Sequence, residues 1–191
     1  GTAALLAVSG SPLVFANQRW NGGSPQALDL TLTNNGNEAI AAGNLSLSFA
    51  TGTEFTAGAI TFPIAAGGGT RTVGITFDPT SVGPKSDTLT FTLDNDLPAD
   101  ANPTATMSGT GTQSAQTFSA NPLSCGTNGT GNMVIGNVSG TASLNISAMT
   151  ITGANASDFV FTDHGCTGQA CSPPSPASVA AGASSSAFVI D

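Results

Sequence analysis

The strongest constraint on this chain is strict alternation of apolar residues with hydroxylated or polar ones. Leu28, Leu30 and Leu32 are separated by Asp29 and Thr31, and Leu45, Leu47 and Phe49 by Ser46 and Ser48. Val73, Ile75 and Phe77 form a third set; Leu89, Phe91 and Leu93, spaced by Thr90 and Thr92, form a fourth. A period of two places each set on one face of an extended strand and the Thr and Ser residues on the other. That pattern describes strands with one buried face and one wet face. Turn-forming clusters separate the sets: NNGNE from Asn34, AAGGG from Ala65, DPTSVGP from Asp78 and DNDLPADANP from Asp94. No stretch has a helical period with caps. Short strands at regular spacing predict an all-β chain folded as an antiparallel sandwich.

The 191 residues leave room for two such units, and the chain repeats itself. AVSG at Ala7 recurs as TMSG at Thr106, 99 residues on. SPLVF at Ser11 is followed in the second copy by AQTFS at Ala115, TGTEF ending at Phe55 by NASDF ending at Phe159, and AAGGGTRTVGITFD at Ala65 by AAGASSSAFVID at Ala180. The landmarks keep their order, which marks a tandem repeat. In the second copy Met133 and Ile135, Met149 and Ile151, and Phe188 and Ile190 are the inward pairs, and a further strand starts at Asp158–Phe161. HGCTGQACSPPSPAS, from His164, is an insertion relative to the first copy.

Composition excludes whole classes of function. The formal charge of −8 comes from a near absence of cations, with Arg19, Arg71 and Lys85 the only Lys and Arg residues. No surface that tracks phosphates can be built from three cations, so no nucleic-acid partner is expected. No apolar run approaches the roughly 18 residues of a membrane-spanning helix. Hydrophobic residues at 39% suffice for a core.

Three segments, LTLTNNGNEAI from Leu30, FPIAAGGGTRTVGITFDPTSVG from Phe62 and TATMSGTG from Thr104, together resemble the ASH/hydin-like immunoglobulin-like domains of bacterial secreted proteins, including the choice-of-anchor D type. The resemblance covers Ser11 to Gly111 almost completely and residues 117–191 in part, and ITFDPTSVG is its most specific piece. It implies tandem immunoglobulin-like sandwiches serving as spacer or interaction modules, with no catalytic residues to carry over. The second copy departs from it by lacking the FDPTSVG continuation, the strand after it and the closing Ser-Gly-x-Gly. On this alignment Asp191 matches Asp78. The expected division is then 1–10 as the final strand of a preceding module, 11–112 as a complete sandwich, and 113–191 as a second, incomplete one.

Residues able to carry chemistry are few. Cys166 and Cys171 are read as a disulfide closing a short loop, contributing about 2 kcal/mol by loop-closure entropy and pointing to an oxidising compartment. Cys125 is either free or an alternative partner. Asp163, His164 and Cys166 in TDHGC suggest a nucleophile pair or metal ligands, but a single His in a polar loop beside a disulfide is the plainer reading. Asp94, Asp96 and Asp100 in DNDLPAD are the best candidates for a hard cation such as calcium, set against an ordinary solvated turn. Trp20 is either a buried anchor or a sugar-stacking platform. Asn44, Asn128, Asn137, Asn145 and Asn155 begin N-x-S/T sequons, unsurprising in so Ser- and Thr-rich a chain.

These readings predict a non-enzymatic, structural or adhesive segment of a larger bacterial surface or secreted protein. Its partners would be neighbouring immunoglobulin-like modules in the same or adjacent chains, and it would need no cofactor beyond the calcium considered above. Two alternatives are a homopolymeric filament subunit completed by strand donation and a carbohydrate-binding accessory domain of an exported enzyme.

Overall fold

The computed structural model describes residues 3–20, 23–94, 102–119, 123–125, 129–166, 168–172 and 174–191. The chain divides into two compact units, Gly1–Thr112 and Gln113–Asp191.

The first unit is a two-sheet antiparallel sandwich of immunoglobulin-like topology. Its strands are β1 (Leu6–Ser9), β2 (Leu13–Val14), β3 (Gln18–Arg19), β4 (Gln26–Asn34), β5 (Leu45–Phe49), β6 (Phe55–Ala57), β7 (Gly69–Phe77), β8 (Gly83–Leu93) and β9 (Thr104–Thr112). One sheet has the order β1-β4-β7-β6, and the other β2-β9-β8-β5 with β3 also on β9. The chain crosses between the sheets after β1, because β1 runs antiparallel to β4 while β2 and β3 run parallel to β9. The alternating sets point inward apart from Leu28, which is exposed near the start of β4, and Leu47 and Phe49 are half-buried. Leu30, Leu32, Val73, Ile75, Phe77, Leu89, Phe91, Ala105 and Met107 belong to one continuous core, and Phe55, Phe77 and Phe15 stack within it at centroid distances of 5.0–5.7 Å. Burial of these side chains is the main driving force for this unit.

The DPTSVG and SGTG segments pack on each other. In DPTSVG, Pro79 is buried and Thr80 donates its N–H (2.6 Å) and hydroxyl (2.9 Å) to the Glu54 carboxylate, which also pairs with Lys85 at 3.2 Å. In SGTG, a β-carbon at Gly109 would lie 2.6 Å from the Phe77 ring, and one at Gly111 would collide with the Ser81 carbonyl. Both glycines are dictated by this close approach.

The stretch 1–10 corrects the expected division. Leu6–Ser9 is hydrogen-bonded to Thr31–Asn34 as the first strand of this unit, and Ala4 and Leu6 lie in its core. It is not a strand left over from a preceding module.

The second unit contains β10 (Thr117–Ser119), β11 (Gly131–Gly136), β12 (Leu144–Asn145), β13 (Met149–Thr150), β14 (Ala170–Cys171), β15 (Ser178–Val179) and β16 (Phe188–Ile190). Its largest sheet has the order β10-β11-β16, and Phe161 bridges to Ile190 at the far edge. The expected strand at Asp158–Phe161 is thus a 3-10 turn over Ala156–Asp158 followed by this bridge. Two further ladders, β12-β15 and β13-β14, and the bridges Gly136–Ser184 and Phe161–Gly168 belong to the same unit.

A buried asparagine fixes how the units correspond. Asn34 and Asn137 are both fully buried. Asn34 accepts from the N–H groups of Leu5 (3.3 Å) and Gly36 (3.1 Å) and donates to the carbonyls of Glu38 (2.7 Å) and Ile64 (3.2 Å). Asn137 accepts from Ala115 N–H (2.8 Å) and donates to the carbonyls of Ala142 (2.8 Å), Val179 (3.1 Å) and Ala180 (3.1 Å). Each ties the first strand, the following turn and the approach to the last shared strand together. With Asn34 equal to Asn137, the pairs Leu28–Ile75, Asp29–Gly74 and Leu30–Val73 map onto Gly131–Ile190, Asn132–Val189 and Met133–Phe188, and Ile64 maps onto Val179. Ala65-Ala66-Gly67 then falls on Ala180-Ala181-Gly182, and both glycines adopt the left-handed conformation, at φ 71° and 73°. Counting on from there places Ile190 at Ile75 and Asp191 at Thr76, two residues short of the expected match to Asp78. The counterpart of β10 is β1, and SPLVF at Ser11 has no partner in AQTFS.

Candidate interaction site

The shared sheet presents Met133, Ile135 and Ile190 where the first unit has Leu30, Leu32 and Ile75. In the first unit these positions lie in the core formed with Leu89, Phe91, Ala105 and Met107 of β8 and β9. In the second unit the matching face opens on a groove of about 310 Å³ lined by Phe118, Met133, Ile135, Met149, Ile151 and Phe161, among others. Phe118 stands 47% exposed at its rim. No Asp, Glu, Lys, Arg or His lines it.

The groove's other wall is β13, which matches β5 of the first unit. There, Asn44 and Ala50 bond toward β8, through Asp94 N–H to Asn44 O (3.0 Å) and Ala50 N–H to Thr88 O (3.0 Å). The corresponding parity in the second unit is that of Ala148 and Thr150. Yet β13 pairs with β14 through the opposite parity: Met149 is in register with Cys171, and Ile151 N–H donates to Gln169 O at 2.9 Å. β14 therefore lies on the outer side of β13. The backbone of Ala148 and Thr150 is directed into the groove.

The insertion that supplies β14 is stapled and clasped. Cys166 and Cys171 are joined, with Cα atoms 4.7 Å apart, and both are buried in a cluster with Phe161 and Ile190. Asp163 accepts Val189 N–H at 3.0 Å, His164 lies on the Phe188 ring at 4.5 Å, and His164 O accepts Ser175 N–H at 2.8 Å. His164 Nε2 also meets Ser186 Oγ at 2.6 Å, and Nδ1 lies 2.6 Å from Asp163 Oδ2. The contact order Ser186–His164–Asp163 matches that of a nucleophile triad. The geometry does not, because Nδ1 has no aligned hydrogen bond, and in a triad that bond fixes the imidazole tautomer. These side chains hold the insertion against β16.

The other predicted residues lie elsewhere. Cys125 is a half-buried free thiol whose Sγ sits 3.8 Å from Ile190 O. Asp94 is exposed at the end of β8, while Asp96 and Asp100 fall outside the described residues. No metal-binding cluster occurs among the described residues. Trp20 is half-buried after β3, with its N–H bonded to Thr112 O at 3.0 Å. Asn137, the third sequon, is sealed in the core and unavailable to a glycan. No helix among the described residues is long and apolar enough to cross a membrane.

Two carboxylates in the first unit have shifted acidity. Burial pushes Glu54 up, but the Thr80 N–H and hydroxyl and the Lys85 ammonium outweigh it and hold the group below its usual value. Burial likewise raises Asp87, and donation from Gly52, Thr51 and Thr88 more than reverses that. Both hold turns in place.

No family model and no curated protein matches the sequence. Among solved structures the chain is similar to an ASH/PapD-like domain of human CEP192, at 16% identity and TM-score 0.43 over 57% of this chain and 86% of that one. It is also similar to the class 5 fimbriae chaperone CfaA, at 10% identity and TM-score 0.39 over 95% and 85% of the two chains. The secreted serine protease VesC from Vibrio cholerae is similar at 13% identity and TM-score 0.39, over 97% of this chain and 45% of that one. Likenesses this distant transfer no residue role.

Proposed function

We propose that the chain is a segment of tandem immunoglobulin-like modules of the choice-of-anchor D kind, structural or adhesive in role, from a larger secreted or surface protein of bacteria. The observation that carries this reading is the repeated sheet with its buried asparagine, a device that serves packing and register in both units. The polar groups that looked reactive in the sequence are spent on the same purpose: Asp163 and His164 clasp the insertion. The Cys166–Cys171 bond supports an oxidising compartment. The test is a fluorophosphonate probe and a broad panel of hydrolase substrates applied to the full chain. The expected result is no labelling of Ser186 and no turnover. Labelling or turnover that His164→Ala abolishes would overturn the proposal.

A second reading, a filament subunit joined to its neighbours by strand addition, is favoured by the open groove beside β13. It predicts concentration-dependent assembly that Thr150→Pro abolishes, because proline removes a backbone donor facing the groove.

A further inference from the structure

We infer that the first unit meets a second copy of this chain edge to edge, β5 against β5, across a two-fold axis at Leu47. The inference rests on the reading of the chain as structural modules and adds the partner and the register. Asn44 and Ala50 bond toward β8 through carbonyl and N–H respectively. Along β5 the N–H and C=O groups of Leu45, Leu47 and Phe49 therefore face away from β8. Among the described residues no strand pairs with that edge. Proteins usually blunt such an edge with a charge, a proline, a bulge or a very short strand. The other edge strands of this unit follow that rule: β2 and β3 have 2 residues each, β6 has 3, and β1 runs into the Ser11–Pro12 crossover. β5 has 5 residues in unbroken register with β8. From Ala39 to Thr53 the sequence holds no charged residue and no proline.

The strand is self-complementary in the antiparallel sense. With Leu47 opposite its own counterpart, Leu45 stands opposite Phe49 and Ser46 opposite Ser48. The free backbone groups of Leu45, Leu47 and Phe49 then fall at hydrogen-bonded positions, where facing residues exchange both bonds. Side chains of facing residues share a face. The apolar ones meet at the mouth of a groove of about 500 Å³ that Leu45, Leu47 and Phe49 line with Phe55, Ile60 and Phe62. Leu47, Phe49, Ile60 and Phe62 are only half-buried there, and no charged residue lines the groove. At a formal charge of −8 two copies repel each other, and an uncharged edge is where their strands can meet. Because each copy offers the same patch, the pairing closes at two chains. No strand is inserted into either core.

The test is sedimentation equilibrium of the full chain from micromolar to millimolar concentration. The expected result is a monomer–dimer equilibrium with no larger species, and amide exchange at Leu47 and Phe49 that slows as the dimer forms. Ser46→Lys with Ser48→Lys, both at exposed positions, sets like charges opposite each other and should weaken the dimer about tenfold. Ser46→Lys with Ser48→Glu sets opposite charges there and should restore it, a reversal specific to the register centred on Leu47. A chain that stays monomeric throughout, or a dimer indifferent to both pairs of substitutions, overturns the inference while leaving the module reading intact. Assembly that Thr150→Pro abolishes and the serine substitutions leave unchanged belongs to the second unit and overturns it too. Labelling of Ser186 by the fluorophosphonate probe would instead sink the module reading without touching this edge.

Discussion

In the first unit Leu30, Leu32 and Ile75 are fully buried in a core shared with β8 and β9. In the second unit the counterparts are divided: Ile135 is buried with Val179 and Phe188, Ile190 is buried with Phe161, Cys166 and Cys171, and Met133 is half-buried beside the groove, so the described buried residues fall into two small clusters. The sheet itself is the same in both, down to the asparagine that locks its end. The difference teaches that sheet register and sandwich closure are separate problems. Register is set locally by Asn34 or Asn137 and by the alternation along β4 or β11. Closure depends on a second layer, and that layer contributes most of the apolar burial. In the second unit the Cys166–Cys171 bond and the Asp163–Val189 contact tie the insertion to β14 and β16.

The largest effect should come from damaging the β8–β9 layer of the first unit. Phe91→Ala removes a fully buried ring from β8 and should destabilise the first unit by about 4 kcal/mol. Chemical denaturation followed residue by residue would show whether the second unit's transition stays where it was. Next, Asn34→Ala and Asn137→Ala should each cost about 3 kcal/mol by stranding buried carbonyls and N–H groups. Equal losses in the two units would confirm a shared device, and a loss in one alone would break the equivalence. Removing the staple with paired Cys166→Ser and Cys171→Ser should lower the second unit's stability by about 2 kcal/mol, for a loop closed across a sequence separation of 5, with no change in the first.

The smallest effect is one of pH. Glu54 and Asp87 have lowered pKa values in the folded state, so their contribution is present above the ordinary carboxylate range of about 4. It is lost as pH falls through their folded values. The first unit's melting temperature should drop below that range, with a shallower drop in Asp87→Asn.

Much of this was legible in the sequence, and for a physical reason. Inward and outward residues of a two-layer sandwich must alternate, so Leu30, Ile75 and Phe91 declare their face directly. The groove-lining Met133, Ile135, Met149 and Ile151 carry the same signal. What the sequence hid was pairing. AVSG and TMSG read alike, yet Leu6–Ser9 is a first strand on β4 and Thr104–Thr112 is a last strand beside β8. Alternation cannot tell them apart, because both are strands with one buried face. Asp191 and Asp78 match as residue types, but the Ala-Ala-Gly turn, with Gly67 and Gly182 both left-handed, sets a count that ends two residues earlier. Asn34 and Asn137 had left a readable trace: each is a polar residue at the next inward position after two large apolar ones. Ser186 left none, since its contact with His164 depends on how the insertion folds back.

The most direct test of the account is a graft. Residues Phe77–Thr112 are repeated immediately after Asp191, in the frame that places Asp191 at Thr76. The account predicts that the added segment completes the second unit, raising its melting temperature, protecting the Ala148 and Thr150 amides from exchange and shifting the Met133 and Met149 methyl signals while Met107 stays fixed. A graft starting at Pro79, in the frame that matches Asp191 to Asp78, should fail on each count. If the second graft succeeds, or if the first leaves the Ala148 and Thr150 amides exchanging as before, the claim that the two units share one sheet in the register set by Asn34 and Asn137 is wrong.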